Sequence, residues 1–321
     1  MNKNYSICVL DAFTCNPGDL SWDALRAYGK LQIHERSPRE KVLELAANAD
    51  ILLTNKVVVN EDLISKLPRL KYIGILATGY NVVDIDAAKA HNIVVSNIPA
   101  YSTHSVAQMV FAHLLNICNQ VQYHVQEVNK GRWSACKDFA FFDKALMELR
   151  GKTMGIVGLG NIGMATAKLA LAFGMEVIAL TSKSKADLPA GISPVDEDTL
   201  FRQSDVLSLH CPLTPENRGF VSKGKLALMK AGAILINMSR GPLVNEEDLA
   251  WALNNNKLFA AAVDVLSKEP PKSDNPLLRA KNCYITPHIA WATKEARARL
   301  IAQAVENVKA FMEGNPINRI A

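Results

Sequence analysis

Three glycines at fixed spacing are the first residues whose types point to a particular chemistry. Gly158-Leu-Gly160-Asn-Ile-Gly163 directly follows the apolar run Thr153–Val157 and opens a helix predicted over Asn161–Phe173. Glycine permits a tight turn at the first position, close approach of a pyrophosphate at the second, and close helix–strand packing at the third. Amides at the start of such a helix bind phosphate. Because the motif lies between a strand and a helix, the sequence predicts a dinucleotide-binding site.

The end of the next predicted strand, Glu176–Leu180, bears on which dinucleotide is bound. An acid normally binds the adenosine ribose of NAD at this point, but the chain has Thr181, Ser182 and Lys183 there, without a carboxylate. Hydroxyls and a lysine suit a 2′-phosphate, so we expect NAD(P), with NADP favoured over NAD. Alternatively, the two hydroxyls bind ribose and the lysine is solvated.

Three later strands are each followed by a side chain capable of acid–base or anion chemistry: Arg240, Glu269 and His288. The strands are predicted at Ala233–Met238, Ala260–Asp264 and Cys283–Thr286. In an open α/β sheet the ligand lies outside the carboxyl ends of the strands, so we expect these three side chains to converge.

With the glycine motif, these stretches resemble the D-2-hydroxyacid dehydrogenase family from about Ile51 to Ile301. The resemblance implies an NAD(P)-dependent enzyme that interconverts a small 2-hydroxy acid and its 2-keto acid. It makes Arg240 the group that grips the substrate carboxylate, which suits a planar guanidinium. His288 exchanges a proton with the substrate oxygen, and Glu269 holds the imidazole tautomer and favours its charged form. Singly, each has an ordinary alternative: a surface salt bridge, a structural histidine and a solvated carboxylate.

The glycine motif and the resemblance together predict the cofactor contacts. They are Gly158, Gly160, Asn161, Ile162, Gly163, Thr181, Ser182, Lys183, Cys211, Pro212, Asn217, Met238, Ser239, Asp264, Thr103 and Val106. Asp264 resembles the family aspartate near the nicotinamide amide, or alternatively orders a strand end. The chain has Gln108 where the family usually has glutamate, which removes a carboxylate from that position.

Substrate contacts are predicted at Ala77, Thr78, Gly79, Arg240, His288 and Trp291. The turn at 77–79 follows a predicted strand, and its amides can bind a carboxylate as a backbone nest. A plain strand-to-helix turn is the alternative. Trp291, which would shape the pocket, is alternatively a core or interface residue.

Within the family, three segments look most like glycerate dehydrogenases, also called hydroxypyruvate reductases. They are the stretch from His288 to Thr293, the stretch Glu295-Ala-Arg297 and the turn at 77–79. We therefore expect hydroxypyruvate as substrate and glyoxylate as a second one, because a small pocket seldom excludes a smaller analogue.

Other substrates and another class of function stay open as alternatives. Phosphoglycerate dehydrogenases commonly place an arginine just before the turn, where this chain has Gly74-Ile75-Leu76. Formate dehydrogenases of this fold replace the acid partner of the histidine with an amide, whereas Glu269 is an acid. Some relatives are NAD(H)-responsive corepressors, and fold alone does not exclude that function.

The elements that must position these residues form two α/β alternations. Strands predicted at Ser6–Leu10, Leu31–His34, Ile51–Thr54, Tyr72–Leu76 and Ile93–Ser96 indicate a flavodoxin-like, substrate-binding lobe. The second alternation begins at Thr153 and predicts a Rossmann-type, doubly wound parallel sheet. We expect a discontinuous first domain, 1–100 plus 288–321, and an NAD(P)-binding domain at 101–287. The lobes would close over substrate at hinges near Pro99–Ser102 and Thr286–His288.

Between the two alternations the sequence predicts one long helix, at about Ser105–Lys130, and then a segment without a clear period, Gly131–Arg150. That segment contains Trp133, Phe139 and Phe142. An aromatic-rich loop often packs against another surface, so we expect a homodimer.

The composition suits a globular protein with a sizeable core and excludes several classes of function. Hydrophobic residues make up 49% of the 321 and charged residues 21%, with a net charge of +5. The sequence has no block of Lys and Arg of the kind found in nucleic-acid-binding proteins. It also has no apolar run as long as a membrane span. The six cysteines include no metal-ligand spacing, so we expect no metal, reduced thiols and a cytoplasmic location.

Overall fold

The computed structural model describes residues 5–143 and 145–321, which form two units. One unit comprises Met1–Ser102, described from residue 5, and Trp291–Ala321; the other comprises Thr103–Ala290. The boundaries differ from the predicted ones by two or three residues. The segment 286–288, predicted as a hinge, therefore lies inside the second unit, together with the whole of its strand-end turn.

The first unit is built on a five-stranded parallel sheet. Its strands are β1 (Tyr5–Val9), β2 (Gly29–Ile33), β3 (Ile51–Thr54), β4 (Tyr72–Ile75) and β5 (Val94–Ser96). The order β2-β1-β3-β4-β5 is the flavodoxin-like one, as predicted. Strands β3 and β4 are buried along their whole length, because helices cover both faces of a parallel sheet. The helices are Ala12–Cys15, Val42–Ala46, Glu61–Ile64, Ile85–Ala90 and Lys294–Met312, with 3₁₀ turns at Asp23–Ala27 and Arg39–Lys41.

The second unit contains a seven-stranded parallel sheet. Its strands are β6 (Thr153–Val157), β7 (Glu176–Leu180), β8 (Ile192–Pro194), β9 (Val206–Leu209), β10 (Ala233–Asn237), β11 (Leu258–Val263) and β12 (Cys283–Ile285). The order β12-β11-β10-β9-β6-β7-β8 reverses direction between β6 and β9, which confirms the predicted doubly wound Rossmann-type sheet. The helices are Thr103–Asn119, Val121–Asn129, Asn161–Ala172, Glu197–Gln203, Lys223–Leu228 and Glu246–Asn254, with 3₁₀ turns at Lys185–Asp187, Gly241–Leu243 and Pro276–Arg279.

The long helix predicted over 105–130 is wrong in one respect: it is two helices. Gln120 adopts a left-handed conformation, with φ 49°, between Thr103–Asn119 and Val121–Asn129. The first helix is largely buried, and none of the residues in the second is buried. The break thus separates a core helix from a more polar surface helix in which valines still recur.

Two features of the described residues concern membranes and metals. None of the described helices combines the length and apolar content that a membrane span requires. In the ranges 5–143 and 145–321, no group of three or more His, Cys, Asp or Glu side chains is arranged to hold a metal ion.

Candidate active site

The three predicted catalytic residues follow three neighbouring strands of the second sheet. Arg240 follows β10, Glu269 follows β11 and His288 follows β12, and these strands are hydrogen-bonded in that order. Because all three strands are parallel, their carboxyl ends lie at one edge of the sheet, where ligands bind in this kind of fold.

His288 and Glu269 form a direct pair. Nδ1 of His288 lies 2.6 Å from Oε2 of Glu269, and both side chains are partly exposed, at 27% and 34%. The other carboxylate oxygen of Glu269 accepts a hydrogen bond from the Leu266 amide at 3.0 Å. The carboxylate is thereby oriented toward Nδ1, which fixes a proton on that nitrogen.

The turn that carries His288 is organised by a buried carboxylate. Asp264, 2% exposed, accepts hydrogen bonds from the Thr286 hydroxyl at 2.6 Å and from the Ile289 and Ala290 amides at 2.9 and 2.8 Å. His288 itself has φ 55°, a conformation uncommon outside glycine, and its amide bonds the Thr286 carbonyl at 2.9 Å. Asp264 therefore orders this strand end, which was one of its two predicted roles. A carboxylate offers about four acceptor sites, so three donors leave capacity for one more.

The loop after β10 holds Arg240 through backbone contacts. Nη1 of Arg240 donates to the Ser239 carbonyl at 2.8 Å, while Nδ2 of Asn237 donates to the Arg240 carbonyl at 2.9 Å. Gly241 lies so close to the backbone of Leu266 that a β-carbon would come within 2.0 Å of its carbonyl carbon. The loop that carries Arg240 is thus packed onto the loop that leads to Glu269.

The glycine turn after β6 has the properties that a dinucleotide requires. Gly158 has φ 88°, and a β-carbon on Gly163 would lie 2.1 Å from the Gly158 carbonyl oxygen, so both positions need glycine. A β-carbon on Gly160 would meet nothing within 4 Å. The helix Asn161–Ala172 begins there with no side-chain hydrogen bond at its N-cap. Its first amides are therefore available to an anion, and the residues present fit a pyrophosphate.

The loops after β7 and β9 contain several of the predicted cofactor residues. Thr181 is partly buried, Ser182 and Lys183 are exposed, and the Lys183 amide bonds Oγ1 of Thr181 at 3.2 Å. The Asn217 side chain bridges the Thr214 amide and the Pro212 carbonyl, each at 2.8 Å, and so closes its own loop.

Other predicted cofactor residues follow β9 and β10 or lie in the helix Thr103–Asn119. Ser239 donates to the Cys211 carbonyl at 2.5 Å, and burial raises the pKa of the Cys211 thiol. Met238 and Val106 are buried in the core of the second unit, and Thr103 begins its first helix.

In the first unit, polar side chains fix the turn predicted to bind substrate. The Thr78 hydroxyl donates to the Ile98 carbonyl at 2.9 Å, and Nδ2 of Asn97 donates to the Thr78 carbonyl at 2.8 Å. Buried Asn55 donates to the Leu76 carbonyl at 2.6 Å, just before the turn. Because the Thr78 side chain is committed in this way, any substrate contact of the turn would fall to its backbone.

Trp291 packs within the first unit. Its ring lies edge-on to Tyr101, with centroids 6.3 Å apart, and it borders the hydrophobic core there. The structure thus gives it packing contacts, which was one of its predicted alternatives, and its contact with substrate stays a prediction.

Sequence reasoning missed the residues that support the His288 turn from the first helix of the second unit. Ser105 donates to the Ala290 carbonyl at 2.6 Å, and Nε2 of His113 lies 3.2 Å from the Thr286 hydroxyl. The available signal was a serine and a histidine among the apolar residues of a buried helix, a pattern also compatible with ordinary core polarity.

Comparison with known proteins agrees with this geometry. Residues 111–290 match the model of the D-isomer specific 2-hydroxyacid dehydrogenase NAD-binding domain. A hydroxypyruvate reductase of Blautia hydrogenotrophica is 49% identical over 316 residues, which is 97% of this chain and 98% of the relative. A glycerate dehydrogenase of Methylorubrum extorquens is 40% identical over 87% of this chain and 88% of its own.

A solved structure extends the comparison to the whole fold. An acyclic imino acid reductase in complex with NADPH and D-Arg superposes with a TM-score of 0.86 at 31% identity, covering 98% of this chain and 100% of that one. The chain belongs to the D-isomer specific 2-hydroxyacid dehydrogenase family, with an NAD-binding domain in its second unit.

Proposed function

We propose that the chain is a hydroxypyruvate reductase, which interconverts hydroxypyruvate and D-glycerate with NAD(P)H. The 2.6 Å pair of His288 and Glu269, inside the matched NAD-binding domain, is the observation that carries the proposal. Relatives that bear the names hydroxypyruvate reductase and glycerate dehydrogenase support the choice of substrate.

His288 is the proposed acid–base residue. Nicotinamide, when bound, supplies the hydride to the keto carbon or takes it back from the alcohol. Since Glu269 binds Nδ1, Nε2 of His288 is the nitrogen that gives a proton to the substrate oxygen in reduction and receives it in oxidation. The Glu269 carboxylate holds the ring in the orientation and tautomer in which Nε2 faces the substrate oxygen.

Arg240 is the proposed substrate anchor. A guanidinium binds a carboxylate through two parallel hydrogen bonds and so orients the adjacent keto group. The packing of Gly241 on Leu266 keeps this arginine's loop and the Glu269 loop in a fixed relation. We propose that the backbone of 77–79 and the ring of Trp291 complete the substrate contacts.

We further propose a preference for NADPH. The residues after β7 are Thr181, Ser182 and Lys183, and the nearest carboxylate that follows them, Asp187, accepts a hydrogen bond from Ser184 at 2.7 Å. No carboxylate at 181–186 repels a 2′-phosphate. Lys183→Ala should lower kcat/KM with NADPH about tenfold and leave that with NADH within about twofold. Equal losses with both cofactors would contradict the preference.

A homodimer in the cytoplasm is proposed as the working form. The segment 121–143 presents exposed apolar side chains, among them Val125 at 53%, Phe139 at 93% and Phe142 at 69%. Internal contacts order this segment: Arg132 pairs with Asp143, and Nε1 of Trp133 donates to the Phe139 carbonyl at 2.9 Å. An ordered apolar surface of this kind is typical of a protein interface.

The oligomeric state is measured by sedimentation. Phe139→Glu together with Phe142→Glu should convert a dimer to a monomer. Ile317→Glu, at an exposed apolar residue of the first unit, is the matched control and should leave the dimer intact. A monomeric wild-type protein would contradict the proposal.

The catalytic proposal is tested by steady-state rates with hydroxypyruvate, glyoxylate and pyruvate, each with NADH and NADPH. We expect hydroxypyruvate to be the best substrate. His288→Asn and Arg240→Ala should each lower kcat/KM at least about 100-fold. His91→Asn is the control, because His91 also pairs with a glutamate, Glu61, at 3.0 Å, but in the first unit. Near-normal activity of either active-site variant would overturn its assigned role.

Two alternatives have distinct outcomes in the same assay. Turnover of 3-phosphoglycerate above that of glycerate would identify a phosphoglycerate dehydrogenase, although Gly74 and Ile75 offer no cation for a phosphate. Absence of turnover with all small 2-keto acids, with intact NAD(P)H binding, would favour the corepressor-like alternative.

A further inference from the structure

We propose that His113 is a positioning residue for the acid–base histidine, acting through Thr286 and Asp264. This inference rests on the proposed role of His288. Nε2 of His113 lies 3.2 Å from the Thr286 hydroxyl, which lies 2.6 Å from Oδ1 of Asp264. Asp264 in turn accepts from the two amides that follow His288. A side chain of the first helix is thereby connected to the catalytic turn.

The proton count along this connection fixes its direction. A threonine hydroxyl has a single hydrogen, and the 2.6 Å contact with a carboxylate, which only accepts, uses it. Thr286 must then accept from His113, so His113 carries its proton on Nε2. Burial lowers the pKa of His113, which keeps the ring neutral and leaves one nitrogen as the donor. The chain of donors runs from His113 through Thr286 to Asp264.

The backbone of His288 explains why this connection matters for catalysis. A left-handed φ of 55° on a non-glycine residue is strained and persists only where the surroundings enforce it. Asp264 enforces it by binding the Ile289 and Ala290 amides, and Ser105 adds a bond to the Ala290 carbonyl. If Asp264 rotates, the turn relaxes and the imidazole moves away from its position against Glu269.

Packing alone does not explain a histidine at this position. The neighbouring residues Val110, Leu114 and Ile117 on the same helix are buried in an apolar cluster, where a leucine would also fit. A buried polar ring is unfavourable unless its hydrogen bond is made. The bond to Thr286 is the contact that compensates for its burial.

The test compares two substitutions at 113 under the same assay of hydroxypyruvate reduction. His113→Leu removes the donor but retains the apolar bulk, and we expect kcat to fall about tenfold, since small displacements of a catalytic group have effects of this size. The KM for hydroxypyruvate and the Kd for NADPH should stay within about twofold. His113→Gln, whose amide nitrogen can donate to Thr286, should restore kcat to within about threefold of wild type.

Two further readouts separate positioning from a general structural role. The pH profile of kcat/KM should change in His113→Leu, because the His288–Glu269 geometry sets that profile, and should return to the wild-type form in His113→Gln. Thr286→Val interrupts the connection one residue nearer to Asp264. The double variant that combines Thr286→Val with His113→Leu should have a kcat within about twofold of that of Thr286→Val alone, because the effects of residues that act in one network are not additive.

The outcomes distinguish this inference from the proposed function. If His288→Asn is inactive but His113→Leu has the kcat and pH profile of wild type, the positioning role is wrong and the catalytic proposal stands. If His288→Asn is active, the catalytic proposal fails first. If His113→Leu does not fold, a wild-type kcat and pH profile of Thr286→Val overturn the inference, whereas a tenfold loss in Thr286→Val supports it.

Discussion

Two turns of the second unit end strands of the same sheet but are built in opposite ways. The turn after β6 depends on the absence of side chains at Gly158 and Gly163, where a β-carbon would meet backbone at 2.8 and 2.1 Å. The turn after β12 depends on the presence of side chains, because the Asp264 carboxylate accepts hydrogen bonds from the Thr286 hydroxyl and from two amides of the turn. A site that offers backbone amides to a phosphate needs space, whereas a site that aims one imidazole needs supports.

Each turn lies against a histidine whose burial lowers its pKa. His210, after β9, has a pKa lowered to about 4, and His113 is shifted in the same direction. Both rings are therefore neutral near pH 7. In both regions the histidine ring lies within hydrogen-bond distance of a hydroxyl, that of Ser208 or Thr286, whereas the His288 ring contacts a carboxylate.

The largest expected effect is at Gly163. In Gly163→Ala the added methyl would overlap the Gly158 carbonyl, so helix and turn must separate. We expect the Kd for NADPH to rise at least about 100-fold and the thermal midpoint to fall by about 5 °C or more, measured by fluorescence titration and calorimetry. Gly224→Ala is the control, since its β-carbon would meet nothing within 4 Å. Unchanged NADPH binding in Gly163→Ala would show that the turn after β6 does not require the absence of a side chain at this position.

The next effect tests the turn that depends on side chains. Asp264→Asn places an amide group where the carboxylate accepts from Ala290, so two donors face each other. We expect kcat to fall about 30-fold, with a smaller change in the Kd for NADPH. If binding of NADPH falls more than kcat does, Asp264 acts mainly on the cofactor, and the two turns are less distinct than described.

Gly160→Ala sharpens the comparison at the cofactor side. The structure leaves open space at this position, so the thermal midpoint of the apoprotein should stay within about 1 °C of wild type. The methyl group would stand where the pyrophosphate is expected, and the Kd for NADPH should rise about tenfold. A parallel loss of stability would show that the position serves the fold.

The smallest expected effect concerns acid stability through His210. Its folded pKa, about 4, lies below the unfolded value near 6.5, so the unfolded chain binds more protons between these values. This contribution to the free energy of unfolding is complete above pH 6.5 and is lost as the pH falls toward 4. The loss is about 1 kcal/mol for each pH unit in this range. The free energy of unfolding, measured with urea at several pH values, should depend less steeply on pH in His210→Asn than in wild type. The same pH dependence in both proteins would contradict the neutral state of the ring.

Local signals explain what the sequence predicted well. The glycine spacing and the strand ends are short-range patterns, and both sheet topologies were predicted from the alternation of strands and helices. The catalytic roles of Arg240, Glu269 and His288 stay predictions. The support of the His288 turn was not predicted, because His113 and Thr286 are 173 positions apart and no periodicity links them. Gln120 was missed because apolar residues continue through the break, and β8 because it is a three-residue edge strand ending in Pro194.

The proposed acid–base pair, Glu269 and His288, lies within Thr103–Ala290, and this has a consequence for protein engineering. If Thr103–Ala290 replaced the corresponding segment of a related enzyme, the residues proposed for proton transfer and for cofactor binding would move together as one cassette. Chimeras that join this cassette to the flanking segments of a glyoxylate reductase should then keep the reaction and exchange the acid they prefer. The reaction and the choice of acid would then be set by separate parts of the chain.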